Sequence, residues 1–352
     1  MARILTFGKA INEAHTIAME NDKNVIIFGL GVDDPRRIFG TTAGLKEKFG
    51  SSRVFDMPTS ENAMTGVAIG ASLNGVRPVM THQRLDFFLL AMDQLVNNAA
   101  KWFYMFGGTR SVPITIRLIL GRGWGQGPQH SQNLQSWFAH IPGLKVVMPT
   151  TAYDAKGLLL SAIFDDNPVV YLEHRWLHNV EGEVPEGDYR VPIGKAHLIN
   201  SGKDVTVVSI SYMTVEAIHA TDFLLKHGIT CDLIDLRSVN PIDWDTILAS
   251  VKKTGRLLVL DTATETLSVA SEIIARTTME VFKSLKCAPQ RIALPDYPSP
   301  TSPALARGYY PGAIEIAKAV GTLLDVAVDT TELANTKTSP HDVPGEWFKG
   351  PF

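Results

Sequence analysis

Three residues sit where a side chain could act on a ligand: Glu61, Phe87 and His130. Glu61 lies in MPTSENAMTGVAIGASLNG, Met57–Gly75, where Ser60 can cap a helix whose first turn carries the carboxylate. A carboxylate there complements the helix dipole, or it faces a bound group. The helix is lined with small residues, Ala63, Gly66, Ala68, Gly70, Ala71 and Ser72. A glycine inside a helix costs about 1 kcal/mol relative to alanine, so the two glycines predict close backbone approach by another element. His130 and Ser131 follow a Gly-rich loop in GQGPQHSQNLQSWFAHIPGLKVVMP, Gly125–Pro149, just before a short helix. Such a histidine suits an anion or a reacting group, or is simply a surface loop residue. In Arg84–Gly108 the apolar positions read as core, but Phe87, near the helix start, could stack on a planar ring.

Other chemistries lack their motifs. GRGWGQG, Gly121–Gly127, fails the spacing of a dinucleotide loop, since Gln126 or Pro128 stands where the third glycine belongs. No phosphate-binding P-loop and no G-x-S-x-G nucleophile elbow occurs. His174, His178 and Glu181 read as polar linker residues rather than a metal cluster.

The elements that must position these residues alternate. Strands are expected at Asn24–Leu30, Val76–Thr81, Pro113–Ile119, Leu144–Met148 and Pro168–Glu173, with helices at Glu61–Gly75, Asp86–Met105 and Ala152–Phe164. A second series has strands at Asp204–Ile210, Ile229–Leu236, Arg256–Asp261 and Gln290–Leu294. Its helices lie near Met213–His227, Trp244–Lys253, Ser268–Lys286 and Pro311–Leu324. The pattern predicts an α/β chain of two doubly wound domains, at 1–180 and 204–325, with a linker at 181–203. The polar tail, 326–352, carries Trp347, Phe348 and Phe352 and is either frayed or an arm anchored on a neighbouring subunit.

Composition agrees with this class. At 352 residues, 45% hydrophobic and 20% charged, the chain reads as globular, and about 150 residues per domain suggests two domains. A net charge of −3 gives no reason to expect nucleic-acid or anionic-membrane binding. Two cysteines, Cys231 and Cys287, exclude a disulfide scaffold and fit a reducing compartment. The N-terminal stretch is amphipathic with acids and has no secretory h-region, and no run of about 18 apolar residues exists. The expected location is cytoplasmic.

Taken in order, the motifs resemble those of the beta subunit of the thiamine-diphosphate-dependent decarboxylating component of 2-oxo-acid dehydrogenases (pyruvate, branched-chain, acetoin), within the transketolase superfamily. P-x-S-E followed by a small-residue helix and G-x-R-P matches Pro58, Ser60, Glu61 and Gly75–Pro78. A-x-D-Q-x-x-N-x-A-A-K matches Ala91–Lys101, and the H-S-Q…P-G-L-K-V-V-x-P pattern runs from His130 to Pro149. A-K-G-L-L falls at Ala155–Leu159, D-N-P-V-V at Asp166–Val170, D-L-R-x-x-x-P-x-D at Asp235–Asp243 and K-K-T-G-R-L at Lys252–Leu257. The likeness extends to about Leu324.

The resemblance implies a transketolase-like pyrimidine-binding domain and a smaller transketolase C-terminal-like domain. It also implies roles. Glu61 would hydrogen-bond the aminopyrimidine ring of thiamine diphosphate, a task that needs a carboxyl group in a dry site. Phe87 would pack on that ring, and His130 would exchange a proton or hydrogen bond with the substrate. A potassium ion would sit among main-chain oxygens at Ile114, Ala162, Ile163, Asp165 and Asn167. The superfamily's G-D-G…N motif for magnesium and diphosphate is missing, since Gly187–Asp188 is followed by Tyr189. An alpha subunit would supply it, the chain would be inactive alone, and beta would pair with beta in a heterotetramer. A lipoyl acyltransferase is a further possible partner.

The chain departs from the family where substrate or partner would lie. Gly29–Asp33 lacks the usual acids, and VMTHQRLDF carries Thr81, His82 and Arg84 where an acid and aromatics are usual. DTATETLSV, Asp261–Val269, replaces an acidic turn. Two alternatives therefore stand beside the dehydrogenase reading. One is the C-terminal half of a split transketolase acting on a ketose or phosphosugar, which His82 and Arg84 would suit. The other is a non-catalytic assembly subunit. The polar positions lead us to expect a polar 2-oxo acid or a ketose rather than pyruvate.

Overall fold

The computed structural model describes residues 3–34, 36–123 and 125–348. In chain order the elements open with β1 (Ile4–Thr6), α1 (Phe7–Asn21), β2 (Val25–Gly29), α2 (Leu45–Phe49), β3 (Val54–Asp56), α3 (Glu61–Ser72) and β4 (Arg77–His82). They continue with α4 (Leu85–Phe88), α5 (Ala100–Met105), β5 (Thr115–Leu120), α6 (Gln135–Ala139), β6 (Lys145–Val147), α7 (Ala152–Ile163), β7 (Val169–His174) and β8 (Glu181–Glu183). Then come β9 (His197–Asn200), β10 (Val205–Ser209), α8 (Tyr212–Lys226), β11 (Cys231–Asp235), β12 (Ser238–Asn240) and α9 (Trp244–Thr254). The last are β13 (Leu257–Thr264), α10 (Val269–Val281), β14 (Gln290–Leu294), α11 (Ala313–Leu324) and α12 (Thr331–Thr336). The described residues fall into two units: one holds those up to Gly121 and Trp137–Ile193, the other Arg122–Ser136 and those from Gly194 onward.

In the first unit the strands stand in the order β6-β7-β5-β4-β2-β3, each parallel to its neighbour. β5 and β7 are buried along their whole length, as a sheet covered on both faces requires. α1 packs against α7. It is capped by Thr6, which accepts from the Lys9 amide at 3.3 Å, and buries Ala10, Ile11, Ala14 and Ala18 at helical spacing. The amphipathic N-terminal stretch thus becomes a core helix.

Two side chains break the apolar run. Arg117 on β5 and Glu173 on β7 form an ion pair at 2.6 Å with both side chains fully buried. His178 holds the second Glu173 oxygen at 3.2 Å, and Thr41 accepts from Arg117 at 3.1 Å. Arg117, first against the cost of burial, holds the Glu173 carboxyl down at about 2.

The second unit orders its strands β14-β13-β10-β11-β9, with only β9 antiparallel to its neighbour. Val205, Val207, Leu258 and Leu260 pack under Phe223 and Leu224 of α8 and Ile316 and Val320 of α11. Asp243 caps α9, and Gly255, at φ +75°, ends it in the left-handed conformation.

The elements differ from expectation in three places. The helix expected at Asp86–Met105 is broken into α4, a 3₁₀ turn at Leu89–Ala91, a π-helical stretch at Gln94–Ala99, and α5. Over so few turns the apolar spacing does not distinguish these forms. The polar stretch after β7 is not open linker at its start: His174, Arg175 and His178 are buried in a 3₁₀ turn. The tail turns back on its own unit. Leu333 of α12 joins the core, and His341 meets the Pro303 carbonyl at 2.6 Å. Phe352 lies outside the described residues. Among the described residues no helix is long and apolar enough to cross a membrane.

Four histidines, His15, His82, His174 and His178, are buried. Burial lowers all four, to about 3 for His15 and His174 and about 4 for His82. Their folded values lie below the unfolded value of about 6.5. The unfolded chain therefore takes up protons first, and the stability present above pH about 6.5 is lost as pH falls through the folded values. Calorimetric Tm should already fall between pH about 6.5 and 5, before carboxylates protonate, and His15→Gln should flatten that slope. A constant Tm over this interval would refute the assignment of neutral buried histidines.

Candidate functional site

The loop after β3 delivers Glu61 to the first position of α3. Ser60 occupies the cap position but its side chain makes no capping bond, contrary to the sequence expectation. Glu61 is buried, and its carboxylate meets no hydrogen-bond donor among the described residues. The small face of α3 is less enclosed than its glycines suggest. A side chain at Gly66 would meet Gln94 at 3.5 Å, while one at Gly70 would meet nothing within 4 Å. The close approach expected there does not come from within this chain.

β4 ends at His82, and α4 then carries Phe87, which is 43% exposed. α3 packs on the 3₁₀ turn after α4 and on the π-helical stretch, so Glu61 and Phe87 stand on adjoining parts of one unit. Between β4 and α4 the chain places two polar groups inward. His82 is buried with its ring edge-on to Phe88, and neither ring nitrogen has a hydrogen-bond partner among the described residues. Arg84 is buried and, among the described residues, donates only to the Gly121 carbonyl, at a long 3.5 Å. Gln83 instead reaches Asp34 at 3.0 Å.

Arg175, just past the end of β7, is also buried and lies over the Phe39 ring at 4.1 Å. Phe39 closes a run of three left-handed residues, Arg37 to Phe39, with φ of 47°, 49° and 57°. Such a run costs roughly 1–2 kcal/mol per residue, and strain of this kind clusters at ligand sites. Burial pulls both arginines down to about 10, and Arg84 lowers Arg175 further by repulsion. Both remain cations at neutral pH. Gly121, at φ +77°, must be glycine: a Cβ there would lie 2.3 Å from the His174 ring. Arg84, Gly121, His174 and Arg175 thus gather where β4, β5 and β7 end. That is the carboxyl edge of a parallel sheet, the usual ligand crevice of such folds.

His130 ends a short 3₁₀ turn, Pro128–His130, and Ser131 beside it is buried. This loop belongs to the second unit, so His130 is not grouped with Glu61 and Phe87. The sequence did not reveal how the loop is held. Gln135 donates to Asp261 at 2.6 Å and to Thr262 at 3.0 Å, all three buried. Asp261 also accepts from the Ala263 and Ala270 amides, both at 3.1 Å. Burial raises the Asp261 carboxyl despite these bonds.

Four of the expected potassium oxygens, those of Ile114, Ala162, Ile163 and Asp165, accept hydrogen bonds. Arg77 donates to the carbonyls of Ile163 at 3.4 Å and Asp165 at 3.0 Å. The Ile114 carbonyl accepts from Val169, that of Ala162 from the end of α7, and the Asn167 amide donates to the Asp165 side chain. Arg77 thus stands beside two of these positions.

The fold and this crevice define a two-domain α/β protein of the transketolase type. The family described as "Transketolase, pyrimidine binding domain" matches residues 4–179, and "Transketolase, C-terminal domain" matches 194–316. The acetoin:2,6-dichlorophenolindophenol oxidoreductase subunit beta of Cupriavidus necator is 43% identical over 91% of this chain and 97% of its own length. The pyruvate dehydrogenase E1 component subunit beta of Bacillus subtilis is 40% identical over 85% of this chain and 93% of its own. A solved split-gene transketolase, an inactive beta4 tetramer, aligns with a TM-score of 0.75 at 21% identity, over 92% of this chain and 99% of that one, and shows the fold alone. The chain belongs to the beta-subunit family of thiamine-diphosphate-dependent 2-oxo-acid dehydrogenase components.

Gln135→Leu should keep the fold but release the loop carrying His130, because the variant loses the buried hydrogen bonds to Asp261 and Thr262, each worth about 0.5–1.5 kcal/mol and more to a charged group. Limited proteolysis should then cut within 122–136 faster than in the wild type. Unchanged protection would show that the Gln135–Asp261 bond does not hold the loop.

Proposed function

We propose that this beta subunit binds the aminopyrimidine half of thiamine diphosphate and serves a polar or anionic 2-oxo acid rather than pyruvate. The observation that carries the substrate reading is the burial of His82, Arg84 and Arg175 at the carboxyl edge of the first sheet. An aliphatic side chain would leave the His82 ring nitrogens unpaired and Arg84 with its long bond to the Gly121 carbonyl, whereas a hydroxyl, carboxylate or phosphate would pair with both. The same cations suit a phosphorylated ketose, which keeps the split-transketolase reading as the second choice.

The residues present fit the cofactor. A buried carboxylate without a protein donor, Glu61, suits a ring nitrogen that must share a proton. Phe87, half open at the start of α4, suits a ring face. Thiamine diphosphate, when bound, supplies the nucleophilic carbon and the electron sink for cleaving the bond beside a carbonyl. Glu61 would hold the proton at the pyrimidine nitrogen, Phe87 would orient the ring, and His130 would move a proton at the substrate oxygen.

Partners follow from what is missing and what is exposed. No G-D-G diphosphate motif exists in the chain, so an alpha subunit would carry magnesium and the diphosphate, and the chain alone would be inactive. Phe103, Tyr104, Met105 and Phe106, at 46%, 88%, 67% and 46% exposure, form an apolar run on and after α5 that suits a subunit interface. A heterotetramer with paired beta subunits accommodates it, and a lipoyl acyltransferase would accept the product. The free cysteines fit a cytosolic setting.

In the assembled complex Glu61→Gln should slow thiazolium proton exchange by about a hundredfold or more while assembly is kept. Exchange at the wild-type rate would remove Glu61 from the mechanism. Replacing both His82 and Arg84 with Phe should shift kcat/KM toward aliphatic 2-oxo acids by about a hundredfold. Pyruvate as the best substrate of the unaltered complex, with no shift in the double variant, would refute the substrate reading.

A further inference from the structure

Arg122 opens the Gly-rich loop of the second unit, the loop that also carries His130. Its side chain is fully buried. Its hydrogen-bonded acceptors include the Thr301 carbonyl and an Asp342 carboxylate oxygen, each at 3.4 Å and each reached by the same nitrogen, Nη2, and the Tyr310 hydroxyl also stands close enough to interact with the guanidinium. Both Nη2 contacts are at the long limit of a hydrogen bond. Nε and Nη1 meet no acceptor among the described residues. The Tyr310 ring lies 5.5 Å from the guanidinium carbon and contributes a face. A guanidinium carries five N–H donors in a planar fork, and burying one so poorly paired is costly.

The arrangement of the two acceptors is informative. Nη2 belongs to both bidentate edges of the guanidinium, one shared with Nε and the other with Nη1. Asp342 takes that shared nitrogen through one oxygen and completes neither edge. Asp342 comes from the C-terminal tail, is itself buried, and has no other hydrogen-bond or ion-pair partner among the described residues.

We propose that Arg122 anchors an oxyanion site for the carboxylate or phosphate of the substrate, and that Asp342 is the tail's own carboxylate standing in for it. An incoming oxyanion would displace Asp342 from Nη2 and bind two nitrogens along one edge. The tail is thereby an internal competitor. Assigning the anion to the substrate rests on the function proposed above, but the site itself does not. Inorganic phosphate is therefore the probe, added to the full chain without partner, cofactor or turnover.

Calorimetric titration should show weak phosphate binding to the wild type and about tenfold tighter binding to Asp342→Asn, because the competent state is then more populated. Arg122→Gln should lose binding. Should that variant not fold, Arg122→Lys, which keeps the charge but not the fork, should weaken phosphate in the Asp342→Asn background. No binding to Asp342→Asn, or equal affinity in the presence and absence of the Arg122 fork, would overturn the site. In the assembled complex, Asp342→Asn should then lower KM for an anionic substrate with kcat unchanged. If phosphate binds as expected but KM does not move, the site takes free phosphate and the substrate assignment fails alone.

Discussion

The buried pair between Arg117 and Glu173 is the constraint on which the first unit depends. It joins the middle of β5 to the end of β7, within two fully buried strands of otherwise mainly apolar residues. Neither charge could be there singly, since an uncompensated buried ion costs several kcal/mol. The pair also recruits its surroundings. His15 of α1 lies 3.4 Å from Arg117 and meets the Thr41 carbonyl at 3.1 Å, while Thr41 binds the guanidinium directly. His178 binds the carboxylate and packs against Phe7 and Phe39. One ion pair thus sets the first helix, the left-handed loop around Phe39 and the turn after β7 relative to the strand ends. Those strand ends present Gly121, His174 and Arg175.

This dependence explains why polar groups can crowd the edge of the sheet. Arg175 leans on Phe39, and Phe39 is held by the same network that fixes Glu173. A loop in strained left-handed conformation persists only where its neighbours over-determine it. Here Arg37 adds pairs with Asp33 at 2.8 Å and Glu47 at 2.9 Å. The result is a multiply bonded wall at the strand ends near Arg84 and His82, where under the proposed function a ligand would be discriminated by what it can pair rather than by its volume.

Much of this was legible in the residues. The alternation of apolar strands and helices placed β4, β5, β7, β10 and β11 within a residue or two, because buried parallel strands are nearly uninterrupted in their hydrophobicity. The positions of Glu61, Phe87 and His130 were legible as motif residues. What was not legible has physical reasons. The break of the Asp86–Met105 helix into 3₁₀ and π turns leaves the apolar spacing almost unchanged. Arg117 and Glu173 are far apart in sequence, and nothing local marks two strand residues as partners. His174 and His178 read as polar linker because their type, not their neighbours, was all that could be weighed. Gln135 looks like any helix-start glutamine until Asp261 is seen across from it.

Arg84 and Arg122 raise the same physical question from two separate units. Each is buried, and each has few acceptors among the described residues. Arg117 shows what the same chain does with an arginine meant only for structure. That residue receives a carboxylate at 2.6 Å, a hydroxyl at 3.1 Å and a ring nitrogen at 3.4 Å. The contrast separates two uses of one residue type. At Arg117 a carboxylate from within the chain neutralises the charge, although its Nε has no hydrogen-bond partner among the described residues. At Arg84 and Arg122 the supply stops short, although a neutral side chain of similar volume would cost less. An under-paired buried cation is suited to completion by a group from outside the chain. An anionic ligand, as proposed above, would do so selectively, because a neutral aliphatic competitor would leave both guanidinium groups as they stand.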